Sequence, residues 1–199
     1  INSEKIFIIG HSMGGMLAPR IDAEGGAYRG LILMAGSPRR LEEIMLDQNE
    51  DVLRTTKGVL RWVVKKQVAT IKAMFDGLYQ LSDEEAKKKK VGGGTTLYYF
   101  KEMGKHAASD YLVALEKPML IMQGEKDFQA TVDKDFAAYK QILSDRDNVT
   151  FCLYENLNHA FVPSVYGNIM KAKQEYNIEQ HISEDIIVDI ADWVLKVSA

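Results

Sequence analysis

The sequence predicts an α/β fold: a partial, mostly parallel sheet flanked by helices and carrying a long helical insertion. Three observations point to it. Apolar runs at residues 5–9, 28–35 and 118–124 are short and bounded by glycine or proline, the pattern of strands buried on both faces. The first two lie within about thirty residues of each other with a helical stretch between them, which makes a right-handed βαβ unit. Between residues 39 and 112 the apolar spacing becomes helical instead.

Composition sets the outer bounds. The 199 residues suffice for one domain with a real core and are too few for two good ones. An apolar fraction of 46% and a charged fraction of 27% are those of an ordinary globular protein. The net charge of −3 gives no reason to expect nucleic acid as a partner. The single cysteine, Cys152, excludes an internal disulfide framework and a cysteine-based metal cluster. Its place in an alternating strand pattern reads as a buried core thiol. No apolar run is long enough for a membrane span, and no signal peptide is visible, which leaves the compartment open.

The elements follow in order. The strand at 5–9 runs into Gly10-His11-Ser12-Met13-Gly14, and a helix is expected over roughly 13–25. A strand feeding a Gly-x-Ser-x-Gly turn that opens a helix holds its serine in a strained conformation with the hydroxyl projecting outward. Gly10 and Gly14 are expected there because a side chain at either would collide with the neighbouring strand or helix. The helix N-terminus behind Ser12 offers N–H groups and a positive dipole end to a developing oxyanion. Pro19 should remove one hydrogen bond from that helix, and Gly25-Gly26 should stop it. The strand at 28–35 ends at Gly36-Ser37-Pro38. Within 39–112, Ser82-Asp83-Glu84-Glu85 reads as a capping box, and Lys87 to Lys90 as a solvated helix end. Gly92-Gly93-Gly94 lacks the Gly-Lys-Ser/Thr ending of a phosphate loop and reads as a flexible connection. Ser109 or Asp110 is placed to cap one more short helix.

Beyond the insertion, the strand at 118–124 leads into Glu125-Lys126-Asp127 at its carboxyl end, where open α/β sheets gather ligands and catalytic groups. An amphipathic helix follows at 131–144, then a last strand at 148–154. His159 lies five residues past that strand, in a loop. Ile186, Ile187, Ile190, Trp193, Val194 and Val197 place a closing amphipathic helix at 183–197 on the sheet.

The turn His11-Ser12-Met13-Gly14-Gly15 resembles the nucleophile elbow of the α/β-hydrolase superfamily, in its serine esterase and lipase-like branch. The resemblance implies a Ser, acid, His triad in that chain order. Gly124-Glu125-Lys126-Asp127 resembles the family's acid turn, which assigns the acid to Asp127 with Glu125 as runner-up. Asn158-His159-Ala160-Phe161 resembles the family's histidine loop, which assigns the base to His159. His11, His106 and His181 are set aside as an elbow neighbour, an insertion residue and a solvated residue. The backbone N–H of Met13 is the expected oxyanion-hole donor. Residues 39–112 then correspond to a helical cap between core segments 1–38 and 113–199. The strand at 5–9 corresponds to the fifth of eight, so the chain reads as the C-terminal portion of a longer enzyme, from the elbow onward.

The activity implied is a serine hydrolase acting through an acyl-enzyme, a carboxylesterase for small acyl or aryl esters, with no metal or organic cofactor. Tyr98, Tyr99, Phe128 and Phe161 are candidates to line an apolar pocket, although large aromatics more often belong to a core. A prolyl-oligopeptidase-type peptidase and a thioesterase share the same residues and stay open. So does a catalytically incomplete chain that forms a homo-oligomer through the exposed edge of the elbow strand.

Overall fold

The computed structural model describes residue 2 and residues 5–199. Residues 1, 3 and 4, part of the expected first core segment, lie outside the described residues. Four strands form one parallel sheet in the order β1-β2-β3-β4: Phe7–His11, Gly30–Met34, Met119–Gly124 and Val149–Tyr154. Parallel pairing sends every strand's carboxyl end to one edge of the sheet. The site is built there.

β1 sits two residues later than the apolar run alone suggested. The ladder continues through the turn motif, with His11 opposite Met34 and the Ser12 N–H donating to the Met34 carbonyl at 2.8 Å. Helix α1 (Met13–Ile21) follows, with Pro19 buried inside it. It ends earlier than residue 25, because the chain widens into a loose turn over Asp22–Gly26, where Gly25 takes a φ of 124°.

Side chains on β2 and β3 alternate between two cores, as the period of a strand demands. Leu31, Leu33, Met119 and Ile121 pack with Ala18 of α1, Leu112 of α6 (Ala108–Leu112), and Tyr139 and Leu143 of α7 (Ala137–Leu143). Ile32, Met34, Leu120 and Met122 pack with Ile186 and Trp193 of α9 (Glu184–Ser198), and with Leu157 and Phe161. Both central strands are buried throughout. β1 and β4 are the edges. Ile9 on β1 is 55% exposed, and Cys152 on β4 is half-buried where a fully buried thiol was expected, because β4 has a neighbouring strand along one edge only.

Residues 40–107 form a separate compact unit, and residues 1–39 with 108–199 form the other. The inserted unit contains α2 (Leu41–Thr55), α3 (Gly58–Asp76), α4 (Asp83–Lys88) and α5 (Leu97–Gly104). Its own core joins Ile71, Phe75, Leu78, Ala86, Val91, Leu97 and Phe100. Tyr98 and Tyr99 pack against that cluster. The capping box at α4 is present in both halves: Ser82 Oγ accepts from the Glu85 N–H at 3.3 Å, and the Ser82 N–H donates to Glu85 at 2.9 Å. Gly92–Gly94 makes a tight turn closed by a bridge between Lys90 and Thr96. The insertion ends at Ala107 rather than at residue 112, because α6 packs its Ala108 and Leu112 into the sheet's core. Among the described residues, no helix is long and apolar enough to cross a membrane.

Candidate active site

Ser12 occupies the turn between β1 and α1 with φ 55° and ψ −117°. A non-glycine residue at positive φ is costly, by about 1–3 kcal/mol, and persists only where its surroundings enforce it. Here the enforcement is the close approach of β1 to α1. A Cβ on Gly10 would lie 2.3 Å from the Gly14 carbonyl oxygen, so only glycine fits two residues before the serine. Gly14 differs from its expected role: a Cβ there meets nothing within 4 Å. The second tight position is Gly15, whose Cβ would lie 3.1 Å from the Gly36 Cα at the end of β2.

The residues singled out in the sequence then separate cleanly. His159 Nε2 lies 2.8 Å from Ser12 Oγ, and His159 Nδ1 lies 2.8 Å from Asp127 Oδ2. An ionised carboxylate only accepts, so the Nδ1–H donates to Asp127, and Nε2 is left to accept the Ser12 hydroxyl proton. Ser12, His159 and Asp127 come from the ends of β1, β4 and β3, three strands that finish on the same edge. Met13 opens α1 directly behind the serine.

Glu125 is exposed and turns away from the histidine, accepting from the Asn156 N–H at 3.4 Å and pairing with Lys126 at 3.3 Å. His11 donates from Nε2 to the His159 carbonyl at 2.7 Å, which makes it a backbone support of the histidine loop. His106 belongs to the inserted unit, and His181 is exposed. Phe161 is core, 1% exposed, with its ring against Tyr154 and His11. Phe128 packs against Tyr176.

The carboxylate of Asp127 is fully enclosed, and a buried charge is tolerated only when it is hydrogen-bonded. Oδ1 accepts from the N–H groups of Gln129 at 2.7 Å and Ala130 at 3.0 Å. Oδ2 accepts from Gln123 Nε2 at 2.8 Å as well as from His159. Gln123 is itself 1% exposed and also donates to the Ala130 carbonyl at 2.9 Å, so it locks the acid turn onto β3. Sequence reasoning passed over it. The available signal was a lone polar side chain inside an otherwise apolar buried strand.

The histidine loop reaches over the end of β3. The Lys126 N–H donates to the Leu157 carbonyl at 2.9 Å. A Cβ on Gly124 would lie 2.5 Å from that same carbonyl oxygen, which is why glycine opens the acid turn. Asn158, wholly buried, donates from Nδ2 to Glu175 at 3.0 Å and accepts the Ala160 N–H at 2.9 Å. Glu175, on α8 (Ala172–Tyr176), also accepts from Ser164 Oγ and from the N–H groups of Val165 and Tyr166. Burial by itself would push the Glu175 carboxyl up, but the bonds from Asn158, Tyr166, Ser164 and Val165 outweigh it and hold it below the usual carboxylate range. Burial, with the charges of Asp127 and Glu175 behind it, pushes the Tyr176 phenol up to about 12. Among the described residues, no group of three or more His, Cys, Asp or Glu side chains is arranged to hold a metal ion.

Comparison with known proteins bears on the family and the fold. The family model described as serine aminopeptidase, S33, matches residues 2–163. The chain is similar to Esterase EstD of Thermotoga maritima, with 28% identity over 193 residues. That match covers 96% of this chain and 43% of the relative, so the chain spans less than half the relative's length. Among solved structures it is similar to a thermophilic esterase from Thermogutta terrifontis, with a TM-score of 0.50 and 17% identity, covering 98% of this chain and 66% of that one. It is also similar to the Paleococcus ferrophilus monoacylglycerol lipase, with a TM-score of 0.51 and 12% identity, covering 96% of this chain and 68% of that one. At such identities the structural likeness speaks for the fold, which is that of the α/β hydrolases. With a parallel sheet of this fold and a family match over most of its length, the chain belongs to the serine aminopeptidase S33 family.

Proposed function

We propose that this chain carries the catalytic centre of a serine hydrolase that cleaves carboxylic esters of small acyl or aryl groups. The observation that supports it is the unbroken line from Ser12 Oγ through His159 to Asp127, each link 2.8 Å, with the serine held at positive φ on the turn. In this reading His159 Nε2 takes the Ser12 proton as Oγ bonds to the ester carbonyl carbon. Asp127 holds the imidazole in the needed tautomer and stabilises its charged form. The Met13 N–H, at the start of α1, faces the developing oxyanion. The tetrahedral adduct collapses, the ester C–O bond breaks, and the leaving alcohol takes the proton from His159. Water, deprotonated by the same histidine, then attacks the acyl-Ser12 ester, and collapse restores the Ser12 hydroxyl and releases the acid.

The name of the relative EstD favours an ester substrate. The family description favours a second reading, an aminopeptidase using the same steps on an amide, in which His159 protonates a leaving amine.

The test is intact-mass analysis after exposure to a fluorophosphonate, with Ser12→Ala alongside. A single adduct on the parent chain, absent from Ser12→Ala, is expected. An adduct that survives in Ser12→Ala, or a parent chain that takes none, overturns the mechanism. A panel of p-nitrophenyl acetate, a longer p-nitrophenyl ester and a prolyl p-nitroanilide then separates esterase from peptidase.

A further inference from the structure

Two adjacent residues of α8 reach two different loops of the site. Glu175 takes hold of the loop that carries His159. Its Oε1 accepts from Asn158 Nδ2 at 3.0 Å, from Ser164 Oγ at 2.8 Å and from the Val165 N–H at 3.1 Å, and its Oε2 accepts from the Tyr166 N–H at 2.7 Å. Tyr176 takes hold of the loop that carries Asp127: its hydroxyl accepts from Gln129 Nε2, and its ring lies 5.8 Å from that of Phe128. The Gln129 N–H in turn donates to Asp127 Oδ1 at 2.7 Å. Asn158 precedes His159 in the chain, and Gln129 follows Asp127 by two.

We propose that α8 is a clamp that sets the spacing of the two loops, with Glu175 as the positioning residue for His159. This rests on the triad reading above and extends it to a residue outside the triad. The chemical argument concerns the donors. Four of them converge on the Glu175 carboxylate; the Val165 and Tyr166 N–H groups cannot reverse their role, and Asn158 can do so only by giving up the Ala160 N–H that its Oδ1 accepts. A neutral amide of the same shape must turn an N–H donor toward at least one of them. An amide nitrogen in the Oε1 place would face Asn158, Ser164 and Val165, and one in the Oε2 place would face the Tyr166 N–H, so in either orientation the histidine loop between residues 158 and 166 loses a bond that fixes its position. A triad works only within a fraction of an ångström. A displacement of about 1 Å costs on the order of 100-fold in rate.

Glu175→Gln is the test, measured on the full chain with p-nitrophenyl acetate turnover, fluorophosphonate labelling rate and thermal unfolding together. The expected result is a folded variant whose kcat and labelling rate fall about 10- to 100-fold while KM stays within about twofold. A purely structural role would lower the unfolding temperature and leave both rates unchanged in the folded protein, and that result overturns the proposal. Where Glu175→Gln does not fold, Ser164→Ala removes one donor and leaves the carboxylate three. A severalfold loss of kcat at unchanged KM supports the clamp, and an unchanged kcat overturns it. A parent chain that takes no phosphonate overturns the triad reading and this proposal together. A labelled parent with unaffected variants overturns the clamp alone.

Discussion

At the scale of single residues, the two glycines that flank Ser12 in the turn motif have different physical roles. Gly10 lies under the first turn of α1, where an added Cβ would come within 2.3 Å of the Gly14 carbonyl oxygen and 2.4 Å of its carbon. Those atoms are backbone at the start of a helix and have nowhere to move. Gly10→Ala is expected to abolish cooperative folding, or to leave a chain that a fluorophosphonate does not label. Gly14 sits in the helix itself with open space where its Cβ would be. Gly14→Ala removes backbone entropy from the unfolded chain and is expected to be neutral or stabilising by up to about 1 kcal/mol. Chemical denaturation of the two variants separates them. The motif in the sequence marks both positions alike, because spacing records that a strand meets a helix and not which atoms touch. The strict contact at Gly15 against Gly36 joins positions 21 residues apart in sequence, and no local pattern reports it.

At the scale of elements, periodicity carried most of the information, and its failures have a common cause. The closing helix shows this. Ile186, Ile187, Ile190, Trp193, Val194 and Val197 were all legible as one apolar stripe. In the structure Ile186 is fully buried and Trp193 is 7% exposed, whereas Ile187 is 56% exposed. The stripe was wider than the face that meets the sheet. Trp193 packs edge-on against Phe7 at 5.7 Å and stands over Gly30, so it ties α9 to both β1 and β2. Trp193→Ala is expected to cost about 3–5 kcal/mol, and Ile187→Ala less than about 0.5 kcal/mol. Urea unfolding midpoints of the pair check this. Equal losses would mean that α9 does not dock as described. The same limit explains what was missed around the site. Ser12, Asp127 and His159 each lie within five residues after the end of a strand and were readable from motif and position. Gln123 holds Asp127 across the turn that follows its own strand, whereas Asn158 and Glu175 hold the histidine loop through a contact between separate elements. Glu175 in particular lies in a polar stretch with no periodic signal, and only the folding of α8 onto the histidine loop gives it a role.

At the scale of the whole molecule, the chemistry and the insertion are separable. Ser12, Asp127 and His159, with the residues that brace them, all lie in the unit formed by residues 1–39 and 108–199. Residues 40–107 have a core of their own. The two points where the insertion leaves and rejoins the sheet unit are in contact, since the Ser109 N–H donates to the Pro38 carbonyl at 3.2 Å. Insertions whose ends meet at a surface connection can be removed without stretching the backbone they interrupt. Arg39, which pairs with buried Asp135 at 3.3 Å, and α6, which packs on the sheet, both stay with the core when the cut is made at residues 40 and 107. A chain in which a short glycine linker replaces residues 40–107 is therefore expected to unfold cooperatively and to be labelled at Ser12 at a rate close to the parent's. Comparison of its rates on p-nitrophenyl acetate and a longer ester with those of the parent tests whether residues 40–107 contribute to substrate selection. Loss of labelling in a folded excision variant would show that the insertion helps to assemble the triad. Loss of folding would show that the two units are stable only together.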